Sequence, residues 1–348
     1  MGEHFLKEEG KKVTDTVNKL KPKEDISHKL GTSAKKAMLS GAALVLLFTV
    51  FALLKPKLFL ARSNLINIAQ QVVTYSIIGF GLTFCLVCGG TDLSAGSSMA
   101  LSGIIVTTLL IRGVPLVFSI LTALIFGILM GIFNGFSIEV LGVVPFVATL
   151  GTQWIFRGLA NVLVDGKPIY TNTIPSESVQ KAFYVLGGGR MSSGLPYSVI
   201  ITLVYGLILF VVLSKTRIGR QIYACGSNLE AAKLSGINAV GTRMFAYCVS
   251  GFSAAICGIL VTSRISSAQP MAGQGYELEA IAASVLGGVS INGGEGSIGN
   301  TIIGALMMGI MRNGLNLMGV SSFWQQVVVG IILVGAVAME ARRNMKNK

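Results

Sequence analysis

Charge is what this 348-residue chain has least of: Asp, Glu, Lys and Arg make up 12% of it, against roughly 25% in a soluble globular domain. Histidine is nearly missing, with only His4 and His28 present, both ahead of the first apolar run. The apolar sequence therefore cannot assemble a Ser-His-Asp set or a His-containing metal group. No G-x-x-x-x-G-K-[ST] occurs, and the glycine-rich stretch 287–299 lacks the lysine that would bind a phosphate. Carboxylates near or within apolar sequence come down to Asp92, Glu139, Glu277 and Glu279, too few and too peripheral for a proton or sodium relay. A secretory signal is not evident either, because the first apolar run begins only near residue 37 and is long enough to span a membrane. These absences argue against an enzyme and against a transporter that powers itself. No cofactor and no metal are expected.

Hydrocarbon is present in abundance. Apolar residues form 52% of the chain, the mean hydropathy is +0.71, and 43 glycines fit helices whose backbones approach closely in lipid. Apolar segments run at about 37–54, 65–88, 97–111, 115–138, 143–163, 197–213, 243–262, 277–291, 297–318 and 322–340. Crossing a hydrocarbon core takes about 20 residues, so the expected fold is all-α: a polytopic membrane protein of about ten transmembrane helices. The third and eighth segments are short enough to be broken or re-entrant. The expected division is a charged tail at 1–36, a transmembrane permease domain at 37–340 and a short basic tail at 341–348.

The 28 basic residues outnumber the 15 acidic ones, giving a formal charge of +13. They gather in three places: the first 36 residues, the polar island 214–243, and the end at Arg342, Arg343, Lys346 and Lys348. Basic clusters flanking hydrophobic spans mark cytoplasmic segments. An even number of spans then puts both termini and the 214–242 loop in the cytoplasm of a cell-membrane protein. Lys55, Lys57 and Arg62 run against that assignment and are outweighed by the three agreeing clusters. No basic stripe interleaves with aromatics, so nucleic acid is not expected as a partner. The connection 164–196 is expected outside, as an ordered loop with a short helix around 177–184, either docking a soluble partner or serving as a solvated connector.

Five cysteines are present. Cys85 and Cys88 form a C-x-x-C, but the run TFCLVCGG around them favours small-residue packing over a redox or metal pair. A weak internal repeat pairs GGTDLSAG at 89–96 with GGVSINGG at 287–294, each abutting one of the two short segments. Glycine-interrupted short spans in two halves point to discontinuous helices around a substrate path.

Polar residues inside the spans are costly, so each normally faces a cavity or a partner. Asp92, flanked by glycines, either lines a hydrophilic path or caps the half-helix that follows, with Ser94 as helper. Gln153, Arg157 and Asn161 fall at i, i+4 and i+8 on one helical face, which either lines a wet channel or bonds to neighbouring helices. Asn313, Asn316, Gln325 and Gln326 make a similar polar group. The candidates for a translocation path are therefore Asp92, Gln153, Arg157, Asn161, Asn313, Asn316 and Gln325. Residues 214–242 read as a short helix offered to a soluble partner, through the Glu-Ala-Ala step at 230–232 and the turn at Gly236.

Five stretches together resemble one family. They are GGTDLSAGSSMALSG (89–103), ATLGTQWIFRGLANV (148–162), TRIGRQIYACGSNLEAAKLSGI (216–237), SRISSAQPMAGQGYELEAIAASVLGGVSINGGEGSIGNT (263–301) and RNGLNLMGVSSFWQQ (312–326). The chain is similar over residues 60–340 to the permease subunits of bacterial ATP-binding-cassette importers for monosaccharides, of the ribose type. That resemblance implies two cytoplasmic ATPase cassettes as partners, an external sugar-binding protein, a homodimer of permeases in membrane lipid, and no catalysis by this chain. It also implies that 226–237 is the helix that couples to the ATPase, with Gly226, Glu230, Ala231, Ala232 and Gly236 at the docking positions. The implied cargo is a neutral monosaccharide, ribose foremost, with galactose, xylose, autoinducer-type solutes and nucleosides as alternatives. An ion-coupled secondary transporter is the reading furthest from these motifs.

Overall fold

A computed structural model describes residues 26–346. Residues 40–348 cluster as one unit and residues 1–39 as another. Ten helices account for the ten apolar segments: α1 (Ile26–Leu54), α3 (Arg62–Val87), α4 (Ala95–Ile111), α5 (Leu116–Glu139), α6 (Pro145–Val164), α8 (Tyr197–Lys215), α11 (Ala239–Ile265), α12 (Tyr276–Gly287), α13 (Ile298–Leu317) and α14 (Ser322–Lys346). Four shorter helices join them: α2 (Pro56–Phe59), α7 (Glu177–Gly187), α9 (Arg217–Ser227) and α10 (Leu229–Leu234). The expected tail at 1–36 lies outside the described residues up to residue 25, and α1 already begins at Ile26. At the other end α14 continues to Lys346, through most of the expected basic tail.

Among the described residues, α3, α5, α8 and α11 are by themselves long and apolar enough to cross a membrane. Burial separates them. The apolar stretches of α3 and α11 are 83% and 72% buried within the protein, against 28% and 33% for α5 and α8. Two helices thus form the centre, and two turn most of their leucines, isoleucines and phenylalanines outward. α11 packs along α3, α4 and α5; α13 packs on α3 and α12; α4 packs on α6. On α5, Gly127 and Gly131 form a G-x-x-x-G that meets Gly251 of α11. A Cβ on Gly127 would stand 2.7 Å from the Gly251 carbonyl and 2.5 Å from Ala255, so larger residues would push these two helices apart.

The connection between α6 and α8 carries a two-residue strand, β1 (Ile169–Tyr170), which pairs antiparallel with β2 (Ser267–Ala268) after α11. Its helix α7 falls on the stretch anticipated at 177–184 and is three residues longer. Arg62, at the start of α3, donates to the Ser193 carbonyl (2.7 Å) and fastens the far end of the same connection.

The two glycine stretches end helices in the same manner. After α3, Gly89 (φ +79°) and Gly90 donate to the carbonyls of Leu86 (2.9 Å) and Cys85 (2.8 Å). After α12, Gly288 (φ +102°) and Val289 donate to Val285 (2.8 Å) and Ser284 (3.0 Å). Both are left-handed glycine caps that satisfy the last carbonyls of a helix. The order differs between the halves, because the first stretch precedes its short helix, α4, while the second follows its short helix, α12.

Candidate functional site

The polar island is two helices joined at a sharp bend. Thr216 caps α9 by accepting from the Gly219 amide (3.2 Å), and Ile222 and Cys225 turn inward from it. Asn228 then adopts extended backbone and accepts from the Ala231 amide (3.0 Å), starting α10. An N-cap of this kind opens a new helix and breaks the preceding one. The continuous helix expected over 226–237 is therefore corrected to two, because Asn228 satisfies the new start with its side chain. At the end of α10, Gly236 (φ +76°) lets Ile237 donate back to the Ala232 carbonyl (3.1 Å).

The bend sorts the five docking candidates by direction. Glu230, Ala231 and Gly236 are exposed, together with Lys233 and Leu234. Leu234 is 90% exposed, a large apolar side chain at the tip of a polar loop. Glu230 and Lys233 make an exposed ion pair at 2.9 Å, which is worth little to stability. Ala232 is buried. Gly226 faces the protein: a Cβ there would run into the Val87 carbonyl and stand 2.6 Å from the Gly294 amide.

Gly226 thus occupies the junction of both glycine stretches. The Gly294 amide donates to the Val87 carbonyl (2.8 Å), joining the two directly. A Cβ on Gly293 would lie 3.1 Å from the Cα atoms of both Gly226 and Gly89. Tyr223 of α9 adds a hydroxyl donated to the Gly296 carbonyl (2.6 Å). The inner face of the island is fixed to the turns where α3 and α12 end.

Asp92 lies next to that junction in sequence and is fully enclosed. Its Oδ1 accepts from the Ser94 amide (2.9 Å), the Ser94 hydroxyl (2.6 Å) and Asn134 Nδ2 (3.3 Å), and its Oδ2 from the Ser250 hydroxyl (2.6 Å). Asn134 in turn donates to Ser94 Oγ (2.8 Å) and accepts from Thr152 (2.6 Å). The network therefore draws together the turn before α4 with α5, α6 and α11. Asn134, Thr152 and Ser250 were not among the sequence candidates. Asn134 had a signal, as a lone amide among the apolar residues of α5.

The remaining candidates separate into four groups. Arg157 donates through Nη1 to the carbonyls of Pro270 (2.6 Å) and Ala272 (2.7 Å), and Gln153 donates to Glu277 Oε1 (3.2 Å). Both therefore hold the segment leading into α12. Asn161 bonds back to the Arg157 carbonyl (2.8 Å) on its own helix. Asn313 exchanges side-chain amide hydrogen bonds with Asn64 at 2.8 and 3.0 Å, and the adjacent Arg312 pairs with Glu279. Asn316 is exposed and accepts from the buried Gln325 (2.6 Å). Among the described residues, Asp92 and the Gln153–Arg157 pair sit on different partners and share no hydrogen bond.

Comparison with known proteins gives a consistent result. The family described as "Branched-chain amino acid transport system / permease component" matches residues 64–337. The ribose import permease protein RbsC of Bacillus subtilis (strain 168) is 41% identical over 301 residues, covering 86% of this chain and 91% of that one. The D-allose transport system permease protein AlsC of Escherichia coli (strain K12) is 35% identical, covering 85% and 89%. The galactose/methyl galactoside import permease protein MglC of Salmonella typhimurium (strain LT2) is 33% identical, covering 88% and 96%. No solved structure matches.

Proposed function

We propose that this chain, which belongs to the permease-component family of branched-chain amino acid transport systems, forms the membrane path of an ATP-driven importer whose cargo is a neutral monosaccharide, ribose foremost. It is a multi-pass membrane protein and a transport subunit; ATP hydrolysis belongs to a separate subunit. The cargo follows from relatives that carry ribose, allose and galactosides in their names. The scarcity of charge in the spans agrees, since a neutral polyol asks for hydroxyl and amide partners and an ion asks for charged ones.

One observation carries the coupling reading. Glu230, Ala231 and Leu234 stand outward on a segment whose inner face is fastened to both glycine turns. A cassette that grips α10 and moves with its own closure pulls on Gly226, and through it on the ends of α3 and α12. The basic residues Lys215, Arg217, Arg220 and Arg243 around this segment support a cytoplasmic position, where ATP is available. Both termini then lie on the same side, and the 164–196 connection faces out toward a sugar-binding protein. Two copies of the chain enclose the path, and the outward apolar faces of α5 and α8 contact lipid. Asp92, Gln153, Arg157 and Asn313 set the shape of that path by fixing α4, the 266–277 segment and the end of α13. Affinity resides in the external protein, so the path itself binds weakly.

The test is reconstitution with a cassette subunit and a sugar-binding protein, screening ribose, galactose, xylose and a nucleoside for stimulated ATP hydrolysis. Stimulation by ribose at the lowest concentration is expected. Stimulation by the nucleoside alone would replace the cargo, and no stimulation by any of the four would contradict the importer.

A further inference from the structure

The cations of the polar island divide by whether they have a partner. Lys233 is paired with Glu230 (2.9 Å) and Arg243 with Glu139 (3.1 Å). Lys215, Arg217 and Arg220 are exposed and, among the described residues, have neither an ion pair nor a side-chain hydrogen bond. The sequence around them offers no acid, since 178–229 contains neither Asp nor Glu. All three stand at one corner. Lys215 ends α8, Arg217 opens α9, and Arg220 follows one turn later. Between the helices Thr216 is extended; its hydroxyl donates to the Val212 carbonyl (2.6 Å) and accepts from the Gly219 amide (3.2 Å). α9 is drawn close over the end of α8, for a Cβ on Gly219 would run into the Leu213 carbonyl. Gly219 and Ile222 face inward, and Arg217 and Arg220, three residues apart, share the outer face. The corner also continues an apolar stripe. Val204, Ile208 and Val211 are exposed on α8 and lie on one helical face, and one further turn brings that face to Lys215. From Val204 to Lys215 the rise is about 16 Å at 1.5 Å per residue, about half of a hydrocarbon core of roughly 30 Å. The stripe has the length of one leaflet and ends in three positive charges.

We propose that the α8–α9 corner binds an anionic phospholipid, with its acyl chains along Val204, Ile208 and Val211 and its headgroup phosphate on Lys215, Arg217 and Arg220.

Three unpaired cations attract any anion, and the stripe selects its source. A free phosphate gains only the charges. A phospholipid also lays hydrocarbon against exposed valine and isoleucine, side chains that water solvates poorly. The guanidinium forks of Arg217 and Arg220 match the paired oxygens of a phosphodiester, and each basic residue beside an anionic membrane surface strengthens the attraction about fivefold. On its inner face α9 is already held at the glycine turns, through Tyr223 and Gly226. The headgroup steadies the outer face, so the coupling segment is gripped between the bundle and the bilayer surface. The site rests on the reading of α8 as lipid-facing, and it does not depend on which solute is carried.

The experiment places the full-length protein in nanodiscs of phosphatidylcholine with and without phosphatidylglycerol, and measures which lipid it retains and how fast the amides of 214–227 exchange hydrogen. The wild type should retain phosphatidylglycerol preferentially and exchange more slowly over 214–227 when that lipid is present. Lys215→Gln, Arg217→Gln and Arg220→Gln should each lower the preference about fivefold, and a Lys55→Gln, Lys57→Gln control, which removes two exposed cations elsewhere, should leave it unchanged. Equal retention of the two lipids by the wild type would overturn the site even if every variant failed to fold, and so would an equal loss in the control. Displacement of the lipid by inorganic phosphate would overturn the phospholipid in favour of a soluble anion. A disulfide between two copies carrying Ile208→Cys would show that a second copy covers α8, removing the premise; equal retention without that cross-link would overturn the headgroup site alone. None of these readouts uses transport, so failure of the importer reading would leave them unaffected.

Discussion

Asp92 accepts four hydrogen bonds, all from neutral groups: the amide and hydroxyl of Ser94, the Asn134 amide and the Ser250 hydroxyl. Its position before α4 places a carboxylate near a helix N-terminus, where negative charge is favoured. An Asp92→Ala change leaves the Ser94 amide, the Ser94 hydroxyl and the Ser250 hydroxyl buried without that acceptor, while Asn134 keeps Ser94 Oγ. At about 1–3 kcal/mol for each buried group left unsatisfied, the loss should reach about 3–5 kcal/mol. Asp92→Asn keeps one acceptor oxygen and should fall between that variant and the wild type. Thermal unfolding in detergent measures the order. If Asp92→Asn matched the wild type in stability while uptake lost affinity, Asp92 would act on the substrate and not on the fold. The same logic applies to Arg157, whose Nη1 serves two backbone carbonyls: it anchors a chain segment first and touches cargo, if at all, through that segment.

Among the elements, the α9–α10 pair shows what pattern can and cannot carry. Apolar runs place all ten helices of the apolar segments, the short α4 and α12 included, because an apolar segment has few other structures open to it in lipid. The bend at Asn228 escapes such a reading. Asn lies inside a polar stretch where nothing distinguishes a cap from a solvent-facing residue until its side chain is seen on the Ala231 amide. Gly226 and Ala232 are similar. Sequence puts them on the docking segment, and only the junction of Gly226 with Val87 and Gly294 and the burial of Ala232 reveal that they turn inward. The partners of Asp92 were hidden for the same reason, since Asn134 and Ser250 stand on helices distant in sequence and follow no shared period. An Asn228→Ala change tests the element directly. Loss of an N-cap costs about 1 kcal/mol, a large fraction of what a six-residue helix can hold by itself. Proteolysis between 228 and 236 should quicken and uptake should fall, while the melting temperature of the whole protein stays where it was. Uptake at the wild-type rate with a frayed α10 would show that α10 need not be ordered.

At the scale of the whole molecule, α12 stands out as a short helix held at both ends. Its leading segment is tied by β2 to β1, by Arg157 and by the Gln153–Glu277 bond. Its trailing turn meets Gly226 and the end of α3. The glycines that bound it, Gly275 and Gly288, both have positive φ, a conformation open to them at little cost. A pull on the island therefore reaches α12 at one end, and a contact on the 164–196 connection reaches it at the other. This arrangement suits a path that opens alternately under the control of two outside proteins, and it needs no energy-converting chemistry in this chain. The most direct measurement is ribose uptake into proteoliposomes holding the permease and its cassette, with ATP enclosed and binding protein outside, comparing wild type with Glu230→Lys. Glu230 is exposed and its ion pair with Lys233 contributes little, so the variant should fold and insert as before. The account expects uptake by the wild type only when ATP is enclosed, and loss of that uptake in Glu230→Lys; uptake driven by an ion gradient without ATP, or unchanged in the variant, would contradict it.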